Sequence, residues 1–389
     1  MTERHRLAFT DWLACAARGA REPAAVAARG AADGLLDRVA AAGAAGHVLD
    51  FDDTYPPGLA HLSAATAPAA LVVGAQLGVD VGTALTAYAA GFEAMGMLTR
   101  ACHPALYDGG WHPTAVCGSA GAAVVAARLY GLDPARERRA IALAMLRSGG
   151  LRAAFGSDGK ALQVGLAAAA GVHAARLAAG GAAVDAEAIA GTGAGFAEAF
   201  GVATSAATLD AMQAAADGGE TAAAENWIKA YPCCLQTHAA IDAALALGAP
   251  PASGVQLTVA VHPVSRQAAA RDEVADGLQA KFSIPYLTAY ALLRGAPRLD
   301  SFGHVDSETA ALARRVRIRT DPALGAAEAI LELDGHAAAR VTAPRGSPAN
   351  PLDAAALAAK VRSLAGDALD GALHDPERPA RSLLGAAGI

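Results

Sequence analysis

Residues 114–148, TAVCGSAGAAVVAARLYGLDPARERRAIALAMLRS, decide the fold class. Apolar residues recur there at intervals of three and four, the spacing that stacks side chains on one helix face. Gly131-Leu132-Asp133-Pro134 stops one helix and starts the next, because glycine closes a helix cheaply and Asp and Pro suit a first turn. The pattern runs outward in both directions, through VGTALTAYAAGFEAMGMLTRA (81–101) on one side and the Lys160 to Ala179 stretch and AEAIAGTGAGFAEAFG (186–201) on the other. With so much Ala and Gly, helices can approach closely, and a compact all-helical domain is expected over residues 1–225.

The pattern changes after Trp227. VQLTVAVHPV, RRVRIRT, AILELDG and AAARVTAPRG carry the alternation and β-branched content of strands, and the helical stretch FSIPYLTAYALLRG lies among them. A smaller α+β domain is expected over 226–366, with 367–389 returning to the helical domain. The chain thus reads as mainly α, a large all-helical domain with a smaller α+β one.

Bulk properties narrow the function classes. The 389 residues are 54% hydrophobic and 17% charged, enough apolar material for two cores and too much for a disordered chain. A net charge of −6 with no basic run argues against nucleic acid or an anionic membrane surface as partner. The apolar stretch after Lys160 is interrupted by Gln163, His173 and Arg176 at helical spacing, so no transmembrane helix is expected. MTERHRLAFTDW lacks the build of a secretory signal, which makes the cytoplasm the expected compartment. Five cysteines (Cys15, Cys102, Cys117, Cys233, Cys234) with no C-x-x-C support neither a disulfide framework nor a zinc site.

Chemistry concentrates in HVLDFDDT, residues 47–54. Asp50, Asp52, Asp53 and Thr54 interleave with Val48, Leu49 and Phe51, which sets carboxylates at the edge of an apolar core. Such groups must be hydrogen-bonded or shifted in pKa; they suit proton transfer in a cleft and equally suit an acidic helix end. His47 precedes the segment and His61 follows it. His112, before Pro113, enters a Gly/Ala-rich helix, where a capping role is the simplest reading. Lys160 follows a Gly-Ser-Asp-Gly turn and reads as a helix-start lysine unless a second cation converges on it. Lys229 lies at the domain junction ahead of Tyr231-Pro232, and His238 and Asp242, four apart, read as a hydrogen-bonded pair. Tyr286 reads as a buried aromatic with a satisfied hydroxyl.

Taken in order, HVLDFDDT, WHPTAVCGSAGAAVVAARLYGLD, the Lys160 helix, KAYPCCLQTHAAIDAAL, AKFSIPYLTAYALLRG and PRGSPANPL resemble the MmgE/PrpD family. That family includes 2-methylcitrate dehydratases, cis-aconitate decarboxylases and iminodisuccinate epimerases. The resemblance implies a helical domain with an α+β lid, a homodimer, a small carboxylic acid as substrate, and a site with neither metal nor cofactor. It implies His61, Asp50, His112 and Tyr286 as the catalytic set, with His61 as proton carrier and Asp50 orienting it. Thr54, Lys160, Lys229 and Gln163 are the implied substrate-binding set, the lysines clamping carboxylates from both domains.

The chain also departs from the family pattern. His61-Leu62-Ser63 stands where the family has His-Pro-Gly, Gln163 and Leu166 replace a histidine and a polar residue, and the region ahead of HVLDFDDT is short. Fewer polar partners point away from a tricarboxylate, since an unpaired buried carboxylate is costly. The expected reaction is dehydration or decarboxylation; epimerisation with the same proton carrier, or a non-catalytic dimeric homologue, are the alternatives.

Overall fold

The computed structural model describes residues 1–369, 371 and 373–389. The chain forms two compact units. One comprises Met1–Val48, Asp52–Trp227 and Ala354–Ile389; the other comprises Leu49–Phe51 and Ile228–Asp353.

The first unit is helical. Its centre holds the helices Leu35–His47, Leu62–Leu77, Val81–Cys102, Pro113–Leu129 and Gly159–Ala179, with Glu3–Gly19 beside them. Local chemistry sets their ends. Asp80 Oδ1 accepts from the Thr83 amide at 2.6 Å, and Asp133 Oδ1 from the Arg136 amide at 2.8 Å, ahead of Pro134. Small residues then let the helices nearly touch. A Cβ at Gly165 would lie 2.1 Å from the Ala40 carbonyl oxygen, and one at Gly43 would lie 2.8 Å from Gly165 Cα. Leu35–His47 and Gly159–Ala179 therefore pack backbone to backbone, which fixes the distance between the residues they carry. Gly159–Ala179 has the length and apolar composition of a membrane span, yet more than half of its most apolar window is buried by neighbouring helices.

Two details differ from the sequence-based expectation. AEAIAGTGAGFAEAFG is not one helix: Ala186–Ala190 and Phe196–Phe200 are separated by a turn in which Gly193 and Ala194 have φ of 77° and 70°. Three glycines within five residues cost more than a helix interior can recover there. The return to the helical unit begins at Ala354 rather than 367. The Ala354–Ala365 helix packs on Glu3–Gly19 through a buried Lys360–Asp11 ion pair of 2.6 Å. Farther along, the Val81 amide donates to Arg378 O at 2.8 Å and the Ala380 amide to Val79 O at 3.0 Å.

The second unit carries a four-stranded mixed sheet in the order β2-β1-β3-β4, from β1 (Leu257–Val261), β2 (Val316–Thr320), β3 (Ala329–Leu333) and β4 (His336–Val341). β1 is buried along its whole length, parallel to β2 and antiparallel to β3. The parallel pair requires a crossover, which includes the Ile284–Arg294 helix. β3 and β4 form a hairpin at Asp334-Gly335, both with positive φ, as a tight hairpin turn needs. The four expected strands and the helix between them are all present.

Candidate active site

Three helix N-termini in the helical unit carry the residues of interest. His61 is the N-cap of Leu62–Leu77, His112 is the N-cap of Pro113–Leu129, and Lys160 lies in the first turn of Gly159–Ala179. The first two ends are tied together, because the His61 amide donates to Thr114 Oγ1 at 3.1 Å. Helix N-termini present unpaired N–H groups and a positive dipole end, which favours a bound anion.

A His–Asp–His cluster lies beneath. His47, the last residue of its helix, places Nδ1 2.9 Å from Asp52 Oδ2, and His61 Nδ1 lies 3.1 Å from the same oxygen. Thr54 Oγ1 is 3.4 Å from His61 Nδ1. His47 and Asp52 are fully enclosed, whereas the His61 side chain keeps 10% exposure. Burial alone would raise the Asp52 carboxyl, but His47 and His61 outweigh it and hold the group well below its ordinary range. Asp52 is therefore ionised and accepts from both rings. The His47 ring meets His61 edge-on at 4.5 Å and stacks on His112 at 5.9 Å.

The neighbouring acid behaves in the opposite way. Asp53 is enclosed, and burial, helped by the adjacent Asp52 charge, pushes its carboxyl up to about 8. Asn226 Nδ2 donates to its Oδ2 at 2.9 Å. At neutral pH Asp53 is mostly a neutral, structural acid.

Gln163, one turn after Lys160, binds both backbone groups of Leu151 and reaches His112 Nδ1 at 2.7 Å. The loop that allows this contains Gly150, whose φ is 126° and whose added Cβ would lie 2.5 Å from Ala115 Cβ and 3.3 Å from Gln163 Oε1. Phe155 stands edge-on to the His112 ring at 4.9 Å, and Lys160 Nζ lies 5.8 Å from the Phe155 centroid. His61, Thr54, His112 and Gln163 are thus joined within one unit by hydrogen bonds and ring contacts, with Lys160 against Phe155.

The smaller unit places Asp50, Lys229 and Tyr286. Lys229 Nζ donates to Asp50 Oδ1 at 2.7 Å and Asp50 O at 3.0 Å, with both side chains buried. Lys281 Nζ donates to Leu49 O at 2.6 Å. Two lysines therefore hold Leu49–Phe51 in this unit, and Asp50 takes a left-handed φ of 54° while doing so. The Tyr286 hydroxyl accepts from the Asp306 amide at 2.9 Å, and burial raises its pKa. Asp242 accepts from the Tyr231 hydroxyl at 2.5 Å and from the Arg345 amide at 2.7 Å, and His238 meets the Tyr231 ring edge-on.

His47 and Asp52 had no role in the sequence-based site. The signal available was a histidine five residues before an acid across a helix end, which is not a helical face spacing and is easily passed over. His47, Asp52 and His61 bring their ligand atoms within 4.8 Å of one another, compact enough for a metal ion. The separations of 2.9 and 3.1 Å to a shared oxygen fit imidazole N–H donors on an ionised carboxylate equally well.

Comparison with known proteins identifies the family. The model of the MmgE/PrpD N-terminal domain matches residues 38–209, and that of the MmgE/PrpD C-terminal domain matches residues 231–378. Human (Homo sapiens) cis-aconitate decarboxylase is 33% identical over 144 residues, 35% of this chain and 29% of that protein. The match spans less than a third of the relative's length. The two family models together take in most of the chain, including every residue of the His–Asp–His cluster, and the protein belongs to the MmgE/PrpD family.

Proposed function

We propose that the chain is a lyase that dehydrates or decarboxylates a small carboxylic acid, with His61 carrying the proton. The observation that carries this reading is the bond from His61 Nδ1 to ionised Asp52. A carboxylate there fixes the ring's tautomer, leaves Nε2 as the basic atom, and stabilises the imidazolium that forms when a proton arrives. Lys160 and the two helix N-termini supply the positive field that a substrate carboxylate needs. We assign Thr54 to orienting His61, Lys160 to carboxylate binding, and Lys229 to holding Asp50. The family and the decarboxylase relative support a dehydratase or decarboxylase chemistry.

The test is proton NMR of a panel of small di- and tricarboxylates with the protein in heavy water. A new alkene signal marks dehydration and release of carbon dioxide marks decarboxylation. Deuterium uptake with inversion, and no other change, would replace the lyase with an epimerase. His61→Ala is expected to lower turnover by about two to four orders of magnitude in a folded protein. Lys160→Ala should act mainly on KM, because a clamp holds ground and transition states alike. Full turnover in folded His61→Ala would overturn the assignment.

A further inference from the structure

Gln163 takes no part in the proton transfer described above, yet its orientation is fully determined. Its Oε1 accepts from the Leu151 N–H at 2.9 Å, and its Nε2 donates to the Leu151 carbonyl oxygen at 3.2 Å. A flipped amide would set donor against donor and acceptor against acceptor, so the nitrogen end is fixed by backbone groups whose polarity is known. The same Nε2 lies 2.7 Å from His112 Nδ1. One of its hydrogens goes to Leu151 O and the other to the ring. His112 Nδ1 must therefore accept, and in the neutral ring the proton then resides on Nε2. His61 has the reverse arrangement, since its Nδ1 faces the ionised Asp52 and carries the proton itself.

We propose that Gln163 is a positioning residue that keeps His112 neutral with its proton on Nε2, so that His61 and His112 enter turnover in opposite tautomers. This rests on the lyase reading and deepens it. His61 Nε2 takes the substrate proton and becomes an imidazolium paired to Asp52. The Nε2–H of His112 donates a hydrogen bond to the substrate oxygen that gains charge, without itself carrying charge. A neutral imidazole can polarise an oxygen in this way. An imidazolium at His112 would turn an N–H toward the Gln163 amide hydrogens, and would stack a charge on the His47 ring at 5.9 Å. A glutamate at 163 would reverse the preference by accepting from Nδ1–H.

The experiment is a two-bond proton–nitrogen correlation spectrum of the full chain, labelled with 15N-histidine and recorded at neutral pH without substrate. His112 is assigned by the signals lost in His112→Asn. The wild-type protein is expected to show His112 with Nδ1 bare and Nε2 protonated, and His61 with Nδ1 protonated. Gln163→Glu is expected to protonate His112 Nδ1 and to lower kcat by about tenfold or more while KM stays within about twofold. If Gln163→Glu does not fold, Gln163→Met should give a mixture of His112 tautomers. A wild-type His112 protonated on Nδ1 overturns the proposal, as does a Gln163→Glu enzyme with protonated Nδ1 and unchanged kcat. Because the spectrum needs no substrate, a carboxylate panel with no turnover leaves the tautomer result standing, and a wrong tautomer leaves the lyase reading standing.

Discussion

His47 and His61 donate to one oxygen atom, Asp52 Oδ2, from 2.9 and 3.1 Å. Two rings on one acceptor make the carboxylate hard to protonate and hard to replace. Asp52→Asn retains the shape, but its amide nitrogen can face a ring and force the proton off Nδ1. Turnover should fall by about two to four orders of magnitude, as when a carboxylate that orients a catalytic histidine is neutralised. Steady-state kinetics on whichever acid reacts in the substrate panel would check this, and wild-type kcat in Asp52→Asn would remove the cluster from the mechanism.

Asp53 gives stability a pH dependence of definite sign. Its pKa is raised in the folded state, to about 8, so its contribution is complete below the unfolded carboxylate value and is lost as pH rises through about 8. Asp52, whose folded pKa is depressed, works on the acid side; its contribution is present above the unfolded value and disappears only as pH falls through the folded one. Thermal unfolding should therefore show Tm declining from pH 6 to pH 9 in the wild type and a flatter profile in Asp53→Asn. Identical slopes in the two proteins would contradict the assignment.

The Lys229–Asp50 pair predicts non-additive damage. Both side chains are buried, so removing either partner leaves an uncompensated charge, at a cost of about 3–5 kcal/mol. Lys229→Met and Asp50→Ala should each shift urea denaturation by about that amount. The double variant should lose clearly less than the sum, and strict additivity would mean that the two groups do not stabilise one another.

Chelation separates two uses of the His47, Asp52 and His61 atoms. If Nδ1–H groups occupy the space between them, exhaustive dialysis against a chelator leaves turnover and the imidazole spectrum unchanged. Turnover lost on dialysis and restored by one divalent ion would establish a metal at the cluster.

The helices between residues 81 and 179 and all four strands are legible in the sequence because periodicity is a local property. The break at Gly191–Gly195 was missed because apolar residues on either side continue the helical count across it. The acids of HVLDFDDT were visible as a group, but their division was not. Asp50 turns to Lys229 with a left-handed backbone, while Asp52, two residues on, goes to His47 and His61. Two lysines more than 170 positions away, Lys229 and Lys281, impose that turn, and nothing within the segment announces them. The tautomer of His112 depends likewise on Leu151 and Gln163, which meet only because Gly150 opens the loop.

Gly165 tests the helix packing beneath the cluster. Gly165→Ala puts a methyl 2.1 Å from the Ala40 carbonyl, which the packed backbones can relieve only by moving apart. A loss of about 1–3 kcal/mol is expected, with a fall in kcat larger than that of an exposed Ala→Ser control on the same helix. Unfolding curves and kinetics on the two variants check it.

The Gly43–Gly165 contact belongs to an interior built mostly from alanine, and that reverses the usual direction of mutational risk. Where the helices of these two glycines touch, the contacting residues are already glycine and alanine, so truncating side chains has little to remove and an alanine scan would not register that contact. Enlargement is the informative perturbation. Sweeping glycine to alanine and alanine to valine along the Leu35–His47 and Gly159–Ala179 helices would trace the contacts that hold the histidines in place, and any redesign of substrate preference has more freedom in the 150–158 loop than in the helices beneath it.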